Sequence, residues 1–329
     1  MKFYNKDRFT HVLVNGKYID KLKISETFHC ELLGDSVKVS TDIEWHHPLS
    51  PYRCIIVVYS DIDDINGFQI NLTDIYKNSV LMTRTDLFVY DINGNQLNHW
   101  IKPSEEFWVK IPLKKGDNII CVYYGSGIEN LGDGNQVFEF FDDFDGNSLD
   151  TDKWEVHEEL NVNISNSILT ISGKNKSSTW VSLRSKYSFN GNIIVGCKAK
   201  IYKPGKLPHP LMVLSDPFVY RYGFIVRGSN YEVVIQYHTP TDHWKTTPSL
   251  CYIDSKWYLF TITKENNTLT AHILNKSFTH EHSVYQQYPC KVFSQVRKDD
   301  TDGISYDYIY VGKYTYPEPI AVLYKQESR

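Results

Sequence analysis

The spacing of the apolar residues is the feature that most constrains this chain, and its period is two almost throughout. Leu87-Phe-Val-Tyr90 alternates and runs into the turn signal Asp91-Ile-Asn-Gly94. Phe107-Trp-Val-Lys-Ile111 alternates too, and Lys115-Gly-Asp117 then turns the chain into the continuous apolar run Ile119-Ile-Cys-Val-Tyr-Tyr124 of a buried strand. Helical spacing is scarce, and only Ile70 to Ile75 has room for one short helix. In the second half, strands are predicted over 168–172, 180–185, 192–201, 217–227, 231–238, 257–264, 268–274 and 306–314. Lys264-Glu-Asn-Asn267 lies between two of these runs and predicts a hairpin. Many short strands punctuated by Gly, Asn and Asp predict an all-β fold of sandwich or jelly-roll type. The aromatic content of 14%, with 24 Tyr, fits that class, because tyrosine suits half-exposed strands.

At about 100–200 residues per domain, 329 residues predict two domains. The Gly-rich stretch Gly125–Gly134 reads as a linker, so the boundary falls near residue 136. A β-sandwich over 1–136 is followed by a second over 137–329, the latter ending in a C-terminal tail. With 35 Lys and Arg against 39 Asp and Glu, the net charge of −4 argues against nucleic acid as a partner. No apolar run approaches the ~20 residues of a membrane-spanning helix, and the N-terminal residues show no secretory leader. The six cysteines, at 30, 54, 121, 197, 251 and 290, are widely spaced and contain no Cys-x-x-Cys pair, which predicts free buried thiols.

The run Phe138-Glu-Phe-Phe-Asp-Asp-Phe-Asp-Gly-Asn-Ser-Leu-Asp-Thr-Asp-Lys-Trp154 resembles the opening of a concanavalin-like lectin/glucanase domain. Ile168–Gly173, Phe189–Val195, Lys256–Phe260 and the closing Tyr306–Tyr314 are similar to later pieces of that family, so the resemblance covers about residues 137–316. It implies a jelly roll. The first half, through Thr85–Asp91, Leu97–Ile101, Phe107–Pro112 and Ile119–Gly125, resembles a β-rich domain of unknown function. That domain accompanies concanavalin-like domains in archaeal, bacterial and viral surface proteins. The tail Lys313-Tyr-Thr-Tyr-Pro-Glu-Pro319 matches as well.

Glycosidases of the concanavalin-like family carry Glu-x-Asp-x-Glu or Glu-x-Asp-x-x-Glu on one strand, where alternation puts the acids on one face. This chain has no such run, and Glu155-Val-His-Glu-Glu159 has the wrong spacing. Asp142, Asp143 and Asp145 precede a Gly turn, and Asp307 lies on the strand expected to pair with theirs. They could hold a structural calcium, which takes about six to eight oxygen ligands, or they could simply cap turns. His280-Glu-His282 puts two imidazoles on one face of a strand, a conceivable metal pair that reads equally as loop histidines.

Phe218, Tyr220, Tyr222 and Phe224 alternate to one side of their strand, with Val219, Arg221, Gly223 and Ile225 on the other. The stripe either fills the core or lines a sugar site. Tyr237, His238, His243 and Trp244 follow in a turn-rich loop, where sugars could stack on rings and bond to polar tips. The ligand-binding residues expected are therefore Tyr220, Tyr222, Tyr237, His238, His243 and Trp244, and the metal residues Asp142, Asp143, Asp145 and Asp307. The expected protein is a non-catalytic structural and recognition component of a virion surface, such as a tail fibre, spike or capsid decoration. It would be a homo-oligomer that binds glycan or a neighbouring subunit. The alternatives are a concanavalin-like glycoside hydrolase or lyase with a rearranged site, and a cell-surface or extracellular adhesin fragment.

Overall fold

The computed structural model describes side chains at residues 43–62, 64–174, 180–202, 207–215, 217–297 and 303–329. The chain divides into two compact units, Met1–Val137 with Pro317–Arg329, and Phe138–Tyr316. The part of the first unit before residue 43, with Cys30, lies outside the described residues.

In the first unit, β1 (Tyr52–Ser60), β2 (Ile65–Asn71), α1 (Thr73–Lys77), β3 (Phe88–Asp91), β4 (His99–Lys102), β5 (Glu106–Leu113), β6 (Gly116–Tyr124) and α2 (Gly134–Val137) follow in order. Their strands form two antiparallel sheets, and the order of the smaller is β2-β5-β4. Alternate residues Cys54, Ile56 and Val58 of β1, Val109 and Ile111 of β5, and Ile120 and Val122 of β6 share one core. The helix falls at 73–77, overlapping the predicted 70–75, and Asn71 Oδ1 accepts from the Thr73 N–H at its start.

The Gly125–Gly134 stretch is folded onto the first unit and is no linker. Asp86 Oδ2 accepts from the amides of both Gly125 and Gly127 at 2.9 Å. The Asp133 amide donates to His99 O, and a Cβ at Gly132, where φ is +71°, would lie 1.9 Å from that same carbonyl. Only glycine fits there.

The second unit runs through β7 (Phe140–Asp142), β8 (Trp154–Val156), β9 (Leu160–Ser165), β10 (Ile168–Gly173), β11 (Trp180–Ser185), β12 (Ile193–Pro204), β13 (His209–Ser215), β14 (Arg221–Arg227), β15 (Glu232–His238), β16 (Lys245–Thr246), β17 (Cys251–Tyr252), β18 (Tyr258–Glu265), β19 (Thr268–Ile273), β20 (Lys276–Glu281), α3 (Val284–Gln287), β21 (Cys290–Arg297) and β22 (Asp302–Lys313). Two antiparallel eight-stranded sheets result. The first has the order β9-β10-β22-β12-β18-β19-β20, with β7 also on β22. The second has the order β8-β11-β21-β13-β14-β15-β16, with β17 also on β15. Their facing sides close one core, including Phe260, Ile262, Leu183, Val213 and Val292. The hairpin predicted at Lys264–Asn267 forms, with Asn266 at φ +50° in its turn. Among the described residues no helix is long and apolar enough to cross a membrane. The described cysteines are free, and burial pushes the Cys54 and Cys121 thiols up to about 12.

The tail does not belong to the second domain. Its strand β23 (Ile320–Ser328) pairs antiparallel with β1, from Ile320 opposite Tyr59 to Ser328 opposite Tyr52, and completes the sheet β23-β1-β6-β3. The pairing is pinned by Arg53, which donates from Nε to Glu327 Oε2 at 2.7 Å and from its other nitrogens to the Ile43 and Glu44 carbonyls. Its guanidinium lies 4.6 Å from the Trp45 ring centre.

Glu327→Gln is expected to destabilise the first unit by about 2 kcal/mol at neutral pH, because it leaves Arg53 buried without its counter-charge. Burial alone would raise the Glu327 carboxyl, but hydrogen bonds from Lys325 and Arg53 outweigh it and hold the group below its ordinary 4.5. The stabilisation is therefore complete above that value and lost as pH falls through the depressed one. Urea denaturation of both proteins at neutral and acid pH should show a gap that closes in acid. A gap that persists there would assign the stabilisation to packing rather than charge.

Candidate functional site

Strand β14 shows how the second sheet divides its residues. Tyr222, Phe224 and Val226 enter the core, while Arg221, Gly223, Ile225 and Arg227 occupy the outer face. The same alternation on the neighbouring strands puts Trp180, Ser182 and Arg184 of β11 on the outer face. It adds Phe293, Gln295 and Arg297 of β21, Met212 of β13, and Gln236 and His238 of β15. His209 joins them through an irregularity between His209 and Met212.

Arg221 is the centre of this face. It donates to His209 Nδ1 at 3.1 Å, to Met212 Sδ at 3.1 and 3.2 Å, and to Gln295 Oε1. The Trp244 and Phe293 ring centres lie 5.3 and 5.0 Å from its Cζ. Because His209 Nδ1 accepts, that ring is neutral; burial, aided by the Arg221 charge, holds its pKa well below the ordinary value. Trp180 packs edge-on to His209 at 4.9 Å, and Arg297 lies over the Trp180 ring at 5.6 Å. His238 sits opposite Arg221 across the strand pair, between Phe218, stacked at 5.9 Å, and Trp244 at 4.9 Å. Burial, His243 and Arg221 all keep His238 toward its neutral form. Trp244 is 50% exposed and has φ +42°, a conformation costly for a bulky residue.

Three of the six expected ligand residues come together here: His238, His243 and Trp244. The other three do not. Tyr220 and Tyr222 are fully buried and belong to the core. The Tyr222 hydroxyl donates to Phe278 O at 2.6 Å and accepts from the Ala271 amide. Tyr237, one residue before His238, turns to the opposite side and packs on His280 at 4.2 Å. Phe218 lies outside the strand because Ser215 Oγ accepts from the amides of Val219 and Tyr220 and makes a turn of that segment. Trp180, His209, Phe293, Gln295 and Arg297 are not singled out by the sequence; β13 is too continuously apolar to announce an outer face, and β21 mixes Lys291, Ser294, Gln295 and Arg297 with apolar residues.

The four aspartates are not gathered into one group. Among the described residues no group of three His, Cys, Asp or Glu is placed to hold a metal. Asp142 accepts from the Trp154 indole at 2.6 Å and the Phe144 amide at 2.9 Å, so it ties a turn to the core. Asp307 pairs with Lys198 at 2.9 Å, Asp143 is raised by burial, and Asp145 is exposed. His280 and His282 are engaged by the Tyr285 hydroxyl and by Thr241 Oγ1 respectively.

The strands of the outer face carry two carboxylates, Glu155 on β8 and Glu232 on β15. Five strand spacings separate them, about 24 Å at ~4.8 Å each. The carboxyl pairs of glycoside hydrolases lie about 5–9.5 Å apart.

Residues 83–157 match a family described as a domain of unknown function, DUF2341. That stretch crosses the boundary between the two units, so it does not outline a separate domain preceding the sandwich. No curated protein matches the chain. Among solved structures, the chain is similar to one titled for endo-acting O-glycanases of the human gut microbiota that initiate mucin breakdown, at 15% identity and TM-score 0.45, covering 54% of this chain and 100% of that one. It is similar to an endo-β-1,3-glucanase from Pyrococcus furiosus, at 13% identity and TM-score 0.45, covering 54% and 95%. A third is the Rv0315 antigen of Mycobacterium tuberculosis, titled a pseudo β-1,3-glucanase, at 12% identity and TM-score 0.45, covering 54% and 99%. The second unit is itself an all-β sandwich of two antiparallel sheets, as the sequence predicts. The expectation of a protein without catalysis is corrected by these neighbours, which include endo-acting glycanases and an endo-glucanase.

Tyr222→Phe is expected to cost about 1–2 kcal/mol, since it strips a buried amide and a carbonyl of their partner. Trp244→Ala, at an exposed and strained position, should cost under about 1 kcal/mol. Thermal unfolding ranks the two, and the reverse order would put Trp244 in the core.

Proposed function

We propose that the second unit is a carbohydrate-active sandwich, a glycoside hydrolase or lyase with a rearranged site, that holds its glycan on the outer face around Arg221 and Trp244. The observation that carries this reading is Trp244. It is a large ring held half-exposed in a left-handed backbone conformation, braced by Arg221 and His238. Apolar ring surface beside a few convergent polar groups is what a sugar requires of a protein. The residue set departs from paired-carboxylate hydrolysis, since the strands hold Glu155 and Glu232 too far apart to flank one bond.

The test is a screen of the full chain on mixed polysaccharides, reading bound protein, new reducing ends and unsaturated ends separately. Binding with chain cleavage is expected, and Trp244→Ala should weaken both at least about tenfold while leaving the melting temperature within a few degrees. Binding without new ends would remove the cleaving activity. No binding to any polysaccharide would overturn the reading.

A further inference from the structure

Several cations of the described residues have carboxylate partners. Arg53 has Glu327, Lys198 has Asp307, Arg184 has Glu155 and Lys256 has Asp254. Arg221 is different. Its partners are an amide oxygen, an imidazole nitrogen and a thioether sulfur, all neutral. These occupy Nε and Nη2, and among the described residues Nη1 has no partner. A partly buried cation without a counter-charge is costly, and burial lowers the Arg221 pKa to about 10. Trp244 and Phe293 both pack within cation–π range, which restrains the plane of the guanidinium. His209 is held neutral beside it and supplies no competing charge.

We propose that Arg221 is the seat of an anionic substituent, so that the glycan held on this face carries a carboxylate or a sulfate. The inference rests on the reading of this face as a glycan platform and names the chemistry of its ligand. A guanidinium presents several N–H donors in one plane, a geometry that matches an oxyanion and gives charge-assisted bonds that a neutral sugar cannot return. The sugar ring of such a unit would lie against the exposed Trp244 while its acidic group replaces the missing counter-charge.

The experiment is binding of the full chain to four polysaccharides. Polygalacturonate carries carboxylates, dextran sulfate carries sulfates, and dextran and laminarin are neutral. Wild type, Arg221→Gln and Arg221→Lys are compared, each after a melting-temperature check. At least one acidic polymer is expected to bind about tenfold or more tightly than both neutral ones. Arg221→Gln should erase that preference, bringing the acidic and neutral affinities together, and Arg221→Lys should keep only part of it. Which acidic arm responds tells carboxylate from sulfate. If Arg221→Gln does not fold, the lysine variant and the salt dependence decide, because raising NaCl from about 0.05 to 0.3 M should weaken acidic binding selectively. Equal affinity for acidic and neutral polymers, or an acidic preference that survives Arg221→Gln or salt, overturns the anion site and leaves the platform standing. Binding to none of the four overturns the platform itself.

Discussion

The burial of Tyr222 decides what the outer face can be. Its hydroxyl is tied to the Phe278 carbonyl and the Ala271 amide on the opposite sheet, so its strand cannot slip by one residue without stranding three polar groups. With Tyr222 inward, Arg221 must face outward, and the cross-strand pairing then sets His238 directly opposite it. Trp244 reaches the same spot because the chain turns back at once after β15. There Thr239 accepts the Asp242 amide and returns Lys245 to pair with Tyr237. One buried tyrosine therefore fixes the register in which a cation, two rings and an imidazole meet.

A comparison of Arg221 with Arg53 shows what this arrangement lacks. Arg53 is surrounded by a carboxylate, two backbone carbonyls, a tyrosine hydroxyl and an indole face, a set that both neutralises and saturates it. It is a structural rivet that fastens the last strand to the first sheet. Arg221 has the aromatic faces but not the carboxylate, and its pKa moves down where that of Arg53 moves up. Burial opposes charge at both sites, and only at Arg53 do hydrogen bonds and charges of the opposite sign overcome it. A site whose electrostatics are incomplete in the protein alone is one that a ligand can complete.

Much of the fold was legible because period two is a local signal. The run Thr268–Ile273 alternates strictly, Phe107–Ile111 does so less cleanly, and each lies in a strand. The site was legible only in part, for reasons of the same kind. The stripe Phe218–Phe224 was visible, but one strand alone does not say which of its faces is the core; that depends on the opposite sheet. The neutral partners of Arg221 come from β13, an apolar run without alternation, and β21, a mixed one, and both strands are buried on both faces along most of their length. The tail was misplaced for a different reason. Ile320–Ser328 pairs across more than 260 positions with Tyr52–Ser60, and nothing local reports such a partner.

The aspartates make the converse point, that a chemically suggestive cluster can be absorbed by the fold. Asp142, Asp143 and Asp145 stand almost side by side in the chain, yet alternation and the following turn send them to different surroundings. Asp142 is drawn under the sandwich by an indole N–H and a backbone amide, and Asp145 is left in solvent. Asp307 comes from the partner strand but is neutralised by Lys198. Both buried aspartates described in this unit, Asp142 and Asp307, thus find their partners within the protein, as a buried charge must. Arg221 on the outer face does not, and that contrast is the reason to look for the missing charge on the ligand.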